Sequence, residues 1–208
     1  MDLSVGMFLL LLAAVGLGRL IEMRLSRRHQ RALRGRGIAR VPEPQFRWMV
    51  ALHSGVLVGA ALEVLVARRP LYPALAAPAL ALVTLAVLLR FWVIATMGPH
   101  WNVQVMGSTR LGVVTSGPFR WIRHPNYVAV FVELLALPLV HTAWITALVG
   151  GALHLLVLRR RIALEETVLL ADPGYRAAMA GKPRFLPRLW PRPRRPPPAK
   201  QPGAWPTS

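Results

Sequence analysis

The sequence predicts an all-α integral membrane protein, a bundle of about five transmembrane helices. Of the 208 residues, 54% are hydrophobic and only 16% are charged, whereas a soluble domain usually carries about 25% charged residues. The apolar residues are grouped into long runs, and most charges lie between them. A run of ~20 residues, at ~1.5 Å per residue, is long enough to cross a ~30 Å hydrocarbon core.

Three long apolar runs cover residues 3–21, 48–67 and 71–97, and we expect each to be a membrane span. A signal peptide is the alternative for the first run, but its start contains Asp2 and no Lys or Arg, and no small-residue cleavage site follows. We expect Arg19, within this run, to snorkel toward the interface. The basic segment that follows, residues 22–47, contains two prolines that break any helix there.

The second half of the chain has a different pattern. Residues 98–126 are polar and Gly-rich, and two shorter apolar runs follow at 127–140 and 144–158. These two runs predict a helical hairpin, partly sheltered by the other helices, whose second arm continues past Arg159. The chain therefore divides into N-terminal transmembrane helices (1–97), a polar region with the hairpin (98–190) and a disordered Pro/Arg-rich tail (191–208).

The charge balance is strongly basic, with a net charge of +18. Nucleic-acid binding can explain such an excess, but the charges lie between apolar runs, so membrane topology explains them more simply. The absence of cysteine excludes thiolate catalysis and Cys-based zinc sites. The chain also shows no metal-ligand spacing, nucleophile elbow or P-loop. We therefore expect neither a nucleic acid nor a metal as a partner.

Two segments carry candidate chemistry: Gly-Pro-Phe-Arg-Trp-Ile-Arg-His-Pro-Asn-Tyr at 117–127 and Arg-Arg-Arg-Ile-Ala-Leu-Glu-Glu at 159–166. In a purely structural interpretation, the first is a turn and a helix start, with Pro125 at the first helical position and His124 as its cap. The second is then an amphipathic helix in which Arg161 and Glu165 form a weak surface pair. The functional alternative is equally open, because ionisable residues next to a membrane are functional by default.

Together the two segments resemble the signature of the isoprenylcysteine carboxyl methyltransferase family. That signature is an Arg-His-Pro-x-Tyr motif followed, beyond an apolar hairpin, by an Arg-x-x-x-Glu-Glu motif; here they are residues 123–127 and 161–166. The resemblance covers about residues 90–190. The N-terminal part resembles only the bacterial branch, including Arg19, Glu22 and His53.

The resemblance implies S-adenosyl-L-methionine as the cofactor and residues 98–190 as a cytoplasmic cofactor-binding region. The implied cofactor-binding positions are Gln104, Leu111, Gly112, Val113, Val114, Phe119, His124, Pro125, Asn126, Tyr127 and Glu165. Leu111 stands where the family often has a polar residue, and Phe119 replaces a usual Tyr, so it can stack but cannot donate a hydrogen bond. Arg161 falls on the substrate side, and we expect Arg161 and Glu165 to be catalytic.

These roles make chemical sense for methyl transfer. Glu165 can pair with the cofactor's ammonium, and His124 or the helix start at Pro125 can receive its carboxylate or ribose. A carboxylate acceptor needs no base, and Arg161 could hold it bidentately. The predicted function is a membrane-embedded O-methyltransferase for a carboxyl or acidic hydroxyl of a lipophilic substrate, prenylcysteine-like or a long-chain polyketide such as an alkylpyrone. Its tail would enter from lipid.

Two other classes of function remain as alternatives. An NADPH-dependent membrane lipid reductase of related architecture is disfavoured by the Glu165-Glu166 pair, since a 2′-phosphate prefers basic neighbours. A non-enzymatic scaffold or transporter would not require polar motifs on one face, and the inverted repeats frequent in transporters are missing.

Several other side chains lie in or beside the apolar runs. Glu63, Arg90 and Glu133 are expected to face the interior, where they either pair with one another (Glu63 with Arg90, for example) or line a substrate tunnel; we favour pairing. Four tryptophans are expected to be interfacial anchors. They are Trp92, Trp101, Trp121 and Trp144.

The distribution of basic residues predicts orientation in the cell membrane, with the N-terminus outside and the C-terminus in the cytoplasm. Eight Lys and Arg residues lie at 22–47 and eleven from Arg159 onward, and cytoplasmic loops carry such an excess. A phosphatase reporter, active only outside the cytoplasm, should therefore be inactive when fused after Ser208. Activity of that fusion would contradict the orientation.

Overall fold

The computed structural model describes residues 2–38, 40–105 and 112–187. Leu111 and the tail at 191–208, for which the sequence makes predictions, lie outside these residues. The described chain forms six α-helices: α1 (Leu3–Arg34), α2 (Phe46–Val66), α3 (Pro73–Met97), α4 (Pro125–Leu139), α5 (Trp144–Ala171) and α6 (Pro173–Met179). Short 3₁₀ turns occur at Gly98–His100 and Gly117–Arg120. The all-α prediction is confirmed.

Three helices, α1, α2 and α3, are long and apolar enough to cross a membrane, as expected of a multi-pass membrane protein. The predicted hairpin is present as α4 and α5. The 15 residues of α4 extend only ~22 Å, less than the ~30 Å hydrocarbon core. Helix α5 has 28 residues and continues well past Arg159, as predicted.

Helix α1 does not end where the apolar run ends. Its 32 residues extend ~48 Å, so its C-terminal part reaches beyond a ~30 Å core. The expectation of a helix-free basic segment from residue 22 is therefore wrong for residues 22–34. Arg, Leu, Ala and Gln are good helix formers, and Arg31 and Arg34 in the last turn favour the negative end of the helix dipole.

Small residues allow α5 to pack closely between α2 and α4. A Cβ atom on Gly150 would lie 2.6 Å from Val56 Cγ2 of α2, and one on Gly151 would clash with Leu135 of α4. On its other side α4 makes an extensive contact with α3. Helix α4 is thus enclosed by neighbours, which explains how a short helix is accommodated within the bundle.

A charge network of two Arg and two Glu joins α1, α3 and α4. Arg19 donates to Glu22 (2.7 Å) and to Glu133, and Arg90 Nε donates to Glu22 Oε1 at 2.6 Å. The expectation that Arg19 snorkels outward is therefore wrong, because an internal carboxylate is within reach.

Pairing of the intramembrane charges is confirmed, but the suggested Glu63–Arg90 pair is wrong. Glu63 lies toward the other end of the bundle, where it pairs with Arg69 at 2.9 Å and accepts from the Thr146 backbone N–H at 2.8 Å. The mismatch arises because residues 63 and 90 lie on different, distant levels of α2 and α3.

Glu133→Gln should destabilise the bundle by about 3 kcal/mol, because it leaves Arg19 with more positive charge than Glu22 alone balances in a low-dielectric interior. Urea unfolding in detergent micelles measures the change. The Arg19→Gln/Glu133→Gln double variant keeps a neutral Glu22–Arg90 pair and should lose less stability than Glu133→Gln. If the double variant were less stable than Glu133→Gln, the charge balance between Arg19 and Glu133 would not be the source of the stabilisation.

Candidate active site

The two sequence motifs, at 123–127 and 161–166, meet at one end of the bundle. The loop after α3 lies there too, together with residues 22–34, which we call the extension of α1 because they continue the helix beyond its apolar run. Ser26 Oγ of α1 accepts from the Val103 backbone N–H at 3.0 Å, and a ring nitrogen of His29 lies 2.7 Å from the Trp101 carbonyl oxygen. The extension of α1 therefore holds the loop at residues 98–105 in place.

The turn before α4 has the predicted geometry. Gly117 adopts φ = 54°, a left-handed conformation that costs glycine little, and a Cβ there would clash with the side chain of Thr96. Pro125 occupies the start of α4 with His124 at the N-cap, as the sequence predicted. The motif at 123–127 thereby enters the bundle from this end.

Tyr127 links the two motifs. Its hydroxyl donates to the Glu165 carboxylate and accepts from Arg161 Nε at 2.8 Å. The Arg161 guanidinium also lies over the Tyr127 ring, 5.7 Å from its centroid. The surface pair of Arg161 and Glu165 in the purely structural interpretation is therefore wrong: Arg161 is buried, and the two side chains are bridged by a tyrosine from α4.

The remaining guanidinium nitrogens of Arg161 have partners of unequal quality. Nη2 donates to the Val103 carbonyl. Nη1 lies 3.5 Å from a carboxylate oxygen of the buried Glu43 and 3.0 Å from the Met49 sulfur. A thioether is a weak acceptor, so Nη1 is the guanidinium nitrogen whose hydrogen bonding a new ligand would strengthen most.

Glu166 points away from this cluster and holds the C-terminal strap, which we define as residues 182–187. It pairs with Arg184 at 2.5 Å and Arg123 at 3.2 Å, and a ring nitrogen of His124 lies 3.0 Å away. Burial alone would raise the pKa of Glu166, but the hydrogen bonds with Arg184 and His124 lower the pKa to about 2. Glu166 is therefore ionised and fully engaged in structure.

Backbone hydrogen bonds attach the same strap to the motif. The amides of Arg123 and His124 donate to the carbonyls of Pro183 (2.9 Å) and Arg184 (3.0 Å). Lys182 Nζ donates to the Phe119 carbonyl at 2.7 Å. The strap thereby fixes α6, which precedes it, beside the site.

Three adjacent cavities surround these residues. The outer cavity, about 160 Å³, is bordered by Glu165, Phe119 and α6. The junction cavity, about 90 Å³, lies around Tyr127, Arg161 and Glu165. The inner chamber, about 440 Å³, extends from Tyr127 and Arg161 between α1, α2, α4 and α5, and Arg19, Glu22 and Arg90 of the charge network also line it. Because neighbouring cavities share lining residues, the three lie in sequence from the bundle end toward its interior.

Every predicted site residue within the described part of the chain borders one of the first two cavities. The outer cavity is lined by Gln104, Gly112, Val113, Val114, Phe119 and Glu165. The junction cavity is lined by Gln104, Phe119, His124, Pro125, Asn126, Tyr127, Arg161 and Glu165. One ring nitrogen of His124, Nε2, is bonded to Glu166. Gln104 accepts from Gln30 and Arg40.

Sequence reasoning missed several lining residues. Trp101 is buried and borders both the junction cavity and the inner chamber, so its assignment as an interfacial anchor is wrong. Glu43, one of two acids in the basic segment at 22–47, was also missed; it lies beside the site, where it contacts Arg161. Tyr175 and Met179 line the outer cavity, and no motif marks them. Burial and the nearby Glu165 carboxylate raise the pKa of Tyr175 to about 12, so its hydroxyl stays protonated.

The fold and site define a multi-pass membrane protein with a polar site at one bundle end. Residues 79–171, somewhat less than half of the chain, match the isoprenylcysteine carboxyl methyltransferase (ICMT) family.

Two relatives match this chain over most of their own length. YpbQ of Bacillus subtilis (strain 168), described as uncharacterized, is 27% identical over 164 residues, which are 78% of this chain and 96% of the relative. An uncharacterized protein of Haemophilus influenzae is 28% identical over 73% of this chain and 88% of the relative. The solved eukaryotic intramembrane Ras methyltransferase ICMT aligns at 23% identity with a TM-score of 0.49, covering 66% of this chain and 50% of that one. This chain thus aligns with half the length of that protein.

Glu166→Gln should loosen the strap. The chain has no cysteine, so a spin label on Leu186→Cys, an exposed position, reports strap mobility uniquely. The pKa of Glu166 is depressed, so its stabilising effect is complete above the ordinary value of 4.5 and is lost as the pH falls toward about 2. The wild-type label should become mobile over that range, and the Glu166→Gln label should already be mobile at pH 7.

Glu165→Gln is the matched control on the same helix, because Glu165 bonds to Tyr127 and not to the strap. The spin label in the Glu165→Gln variant should be as immobile at pH 7 as it is in wild type. Equal immobility of the label in wild type and Glu166→Gln at pH 7 would mean that the backbone bonds alone hold the strap.

Proposed function

We propose that this protein is an S-adenosyl-L-methionine-dependent O-methyltransferase that modifies a carboxyl or acidic hydroxyl of a lipophilic acceptor at the membrane. One observation carries the proposal. The junction cavity shares Glu165 with the outer cavity on one side and Tyr127 and Arg161 with the inner chamber on the other. A soluble cofactor and a lipophilic acceptor could therefore approach one point from opposite sides.

The residues around the outer cavity fit the cofactor's chemistry. S-adenosyl-L-methionine carries an ammonium and an adenine, and it supplies an activated methyl group. Glu165 offers a carboxylate for the ammonium, held in place by Tyr127. Phe119 offers an apolar ring for the adenine. The positive φ of 75° at Gly112 lets the backbone at 112–114 approach a ligand closely.

The junction fits an anionic acceptor. A carboxylate or ionised hydroxyl oxygen can take the place of the Met49 sulfur at Arg161 Nη1, which exchanges a weak acceptor for a charged one. Val103, Tyr127 and Glu43 keep the guanidinium oriented while this happens. Holding the acceptor oxygen in a fixed position is the main contribution that a protein makes to such a transfer.

The inner chamber fits the rest of the acceptor. Its walls include aliphatic side chains of α2 and α5 such as Leu57, Val58 and Leu158, and burial of a hydrocarbon tail there is favourable. The ICMT name of the family suggests prenylcysteine-like acceptors. A long-chain polyketide with an acidic hydroxyl, such as an alkylpyrone, satisfies the same geometry.

Glu165→Gln should weaken binding of S-adenosylhomocysteine by about 1.5–3 kcal/mol, the range for a charge-assisted hydrogen bond, or roughly tenfold to a hundredfold in Kd. Arg161→Ala should leave that affinity largely intact and reduce methyl transfer, because Arg161 faces the acceptor. Calorimetry on the purified protein measures the affinities, and incorporation of a radiolabelled methyl group into membrane lipids measures the transfer.

Asp2→Asn, which also converts an acid to an amide but at an exposed site far from the cavities, is the control and should bind like wild type. Tighter binding of NADPH than of S-adenosylhomocysteine would contradict the proposal and favour the reductase. If S-adenosylhomocysteine binds more tightly, incubation with radiolabelled S-adenosylmethionine and a membrane lipid extract identifies the acceptor by its label.

A further inference from the structure

A buried histidine, His154 of α5, lies in the wall of the inner chamber away from the junction. Its side chain is only 2% exposed. Neither Nδ1 nor Nε2 has a hydrogen-bond partner among the described residues. A buried polar group without a partner is costly, so an occupant of the chamber that bonds to His154 would be favoured over one that does not.

The imidazole ring is held by its neighbours on two sides. It makes an edge contact with His53 at 5.2 Å between centroids and stacks on Phe131 at 6.2 Å. His53 itself is occupied, since one of its ring nitrogens lies 2.6 Å from the Met49 carbonyl oxygen. Among the described residues, His154 thus has its hydrogen-bonding capacity unused, as do Arg90 Nη1 and Asn126 Oδ1 in the same wall.

Helix geometry sets the distance from this point to the junction. His154 and Arg161 are seven residues apart on α5, so both lie on nearly the same face and about 10 Å apart along the axis. Both line the chamber. An acceptor whose head is held at Arg161 and whose tail fills the chamber therefore passes His154 about 10 Å from that head.

We propose that His154 determines acceptor specificity by hydrogen bonding a second polar group, a hydroxyl, on the acceptor's tail about 10 Å from the oxygen that is methylated. A neutral imidazole offers one donor and one acceptor, and a hydroxyl can use either. This inference rests on the proposed function for the identity of the head group. It narrows the substrate class to lipophilic acids or enols with a mid-chain hydroxyl.

The test compares two tritiated probes, palmitic acid and a hydroxypalmitic acid whose hydroxyl lies about 10 Å from the carboxylate. Binding to the full-length protein in detergent micelles is measured by scintillation proximity in the presence of S-adenosylhomocysteine. Wild type should prefer the hydroxy acid by about tenfold, as expected for satisfying one buried polar group. A wild type that does not distinguish the probes overturns the proposal and leaves ordered water as the partner of His154.

Variants assign the preference to the imidazole. His154→Phe, and His154→Leu as a second apolar variant, should bind palmitic acid like wild type and lose the preference. His154→Gln keeps a donor and an acceptor and should retain it. His141→Phe changes another buried histidine, which lies near Ser4 and outside the chamber, and should not alter it. An unchanged preference in both apolar variants would show that another group recognises the hydroxyl.

The same probes separate this proposal from the proposed function. Methyl transfer from radiolabelled S-adenosylmethionine is measured on both in parallel. If the hydroxyl preference depends on His154 in binding but neither probe is methylated by any preparation, the specificity site stands and its assignment to a methyl acceptor falls. If both probes are methylated equally and bound equally, the reaction stands and the role of His154 is refuted.

Discussion

The structure depends on the cost of charge in a low-dielectric interior. A buried guanidinium or carboxylate is tolerated when an opposite charge and further hydrogen bonds surround it. The bundle meets this condition at two levels. Arg19, Glu22, Arg90 and Glu133 balance one another between α1, α3 and α4. Nearer the bundle end, Arg161 is balanced by Glu43 and held by Tyr127. Each pairing fixes the relative position of helices that are distant in sequence.

The same condition ties the loops to the helices. The carboxylate of Glu43 accepts from the Val105 backbone N–H as well as facing Arg161, so the segments on either side of α2 and α3 meet at one ion. Val41 also donates its backbone N–H to the Val105 carbonyl at 3.0 Å. The extension of α1 adds Ser26 and His29 to this contact region. A site formed mainly by loops is thereby positioned by rigid elements, which catalysis requires.

The sequence predicted the helices well because apolar runs and proline positions are local signals. Pro125 and His124 begin α4 as expected, and α5 continues into the charged segment. Local signals do not specify partners. The pairing of Arg19 with Glu133 joins residues 114 positions apart, and no pattern in the chain distinguishes it from the Glu63–Arg90 alternative. Trp101 was misassigned for a related reason: its burial depends on the α1 extension, whose helix continues after the apolar run has ended.

The resemblance to a known family placed the motif residues in one site, and the structure brings them together. The different surroundings of the adjacent acids Glu165 and Glu166, however, could be seen only in the structure. Glu165 borders the outer and junction cavities, whereas Glu166 contacts Arg123, His124 and Arg184. Successive residues on a helix point about 100° apart, so one acid faces the cavities and the other faces the strap. The positive charges around Glu166 offset its own charge, which leaves Glu165 as the carboxylate that a cationic ligand in the outer cavity would meet. Two adjacent acids therefore give α5 one carboxylate that lines the cavities and one that anchors the strap, and replacing either residue tests a different half of the site.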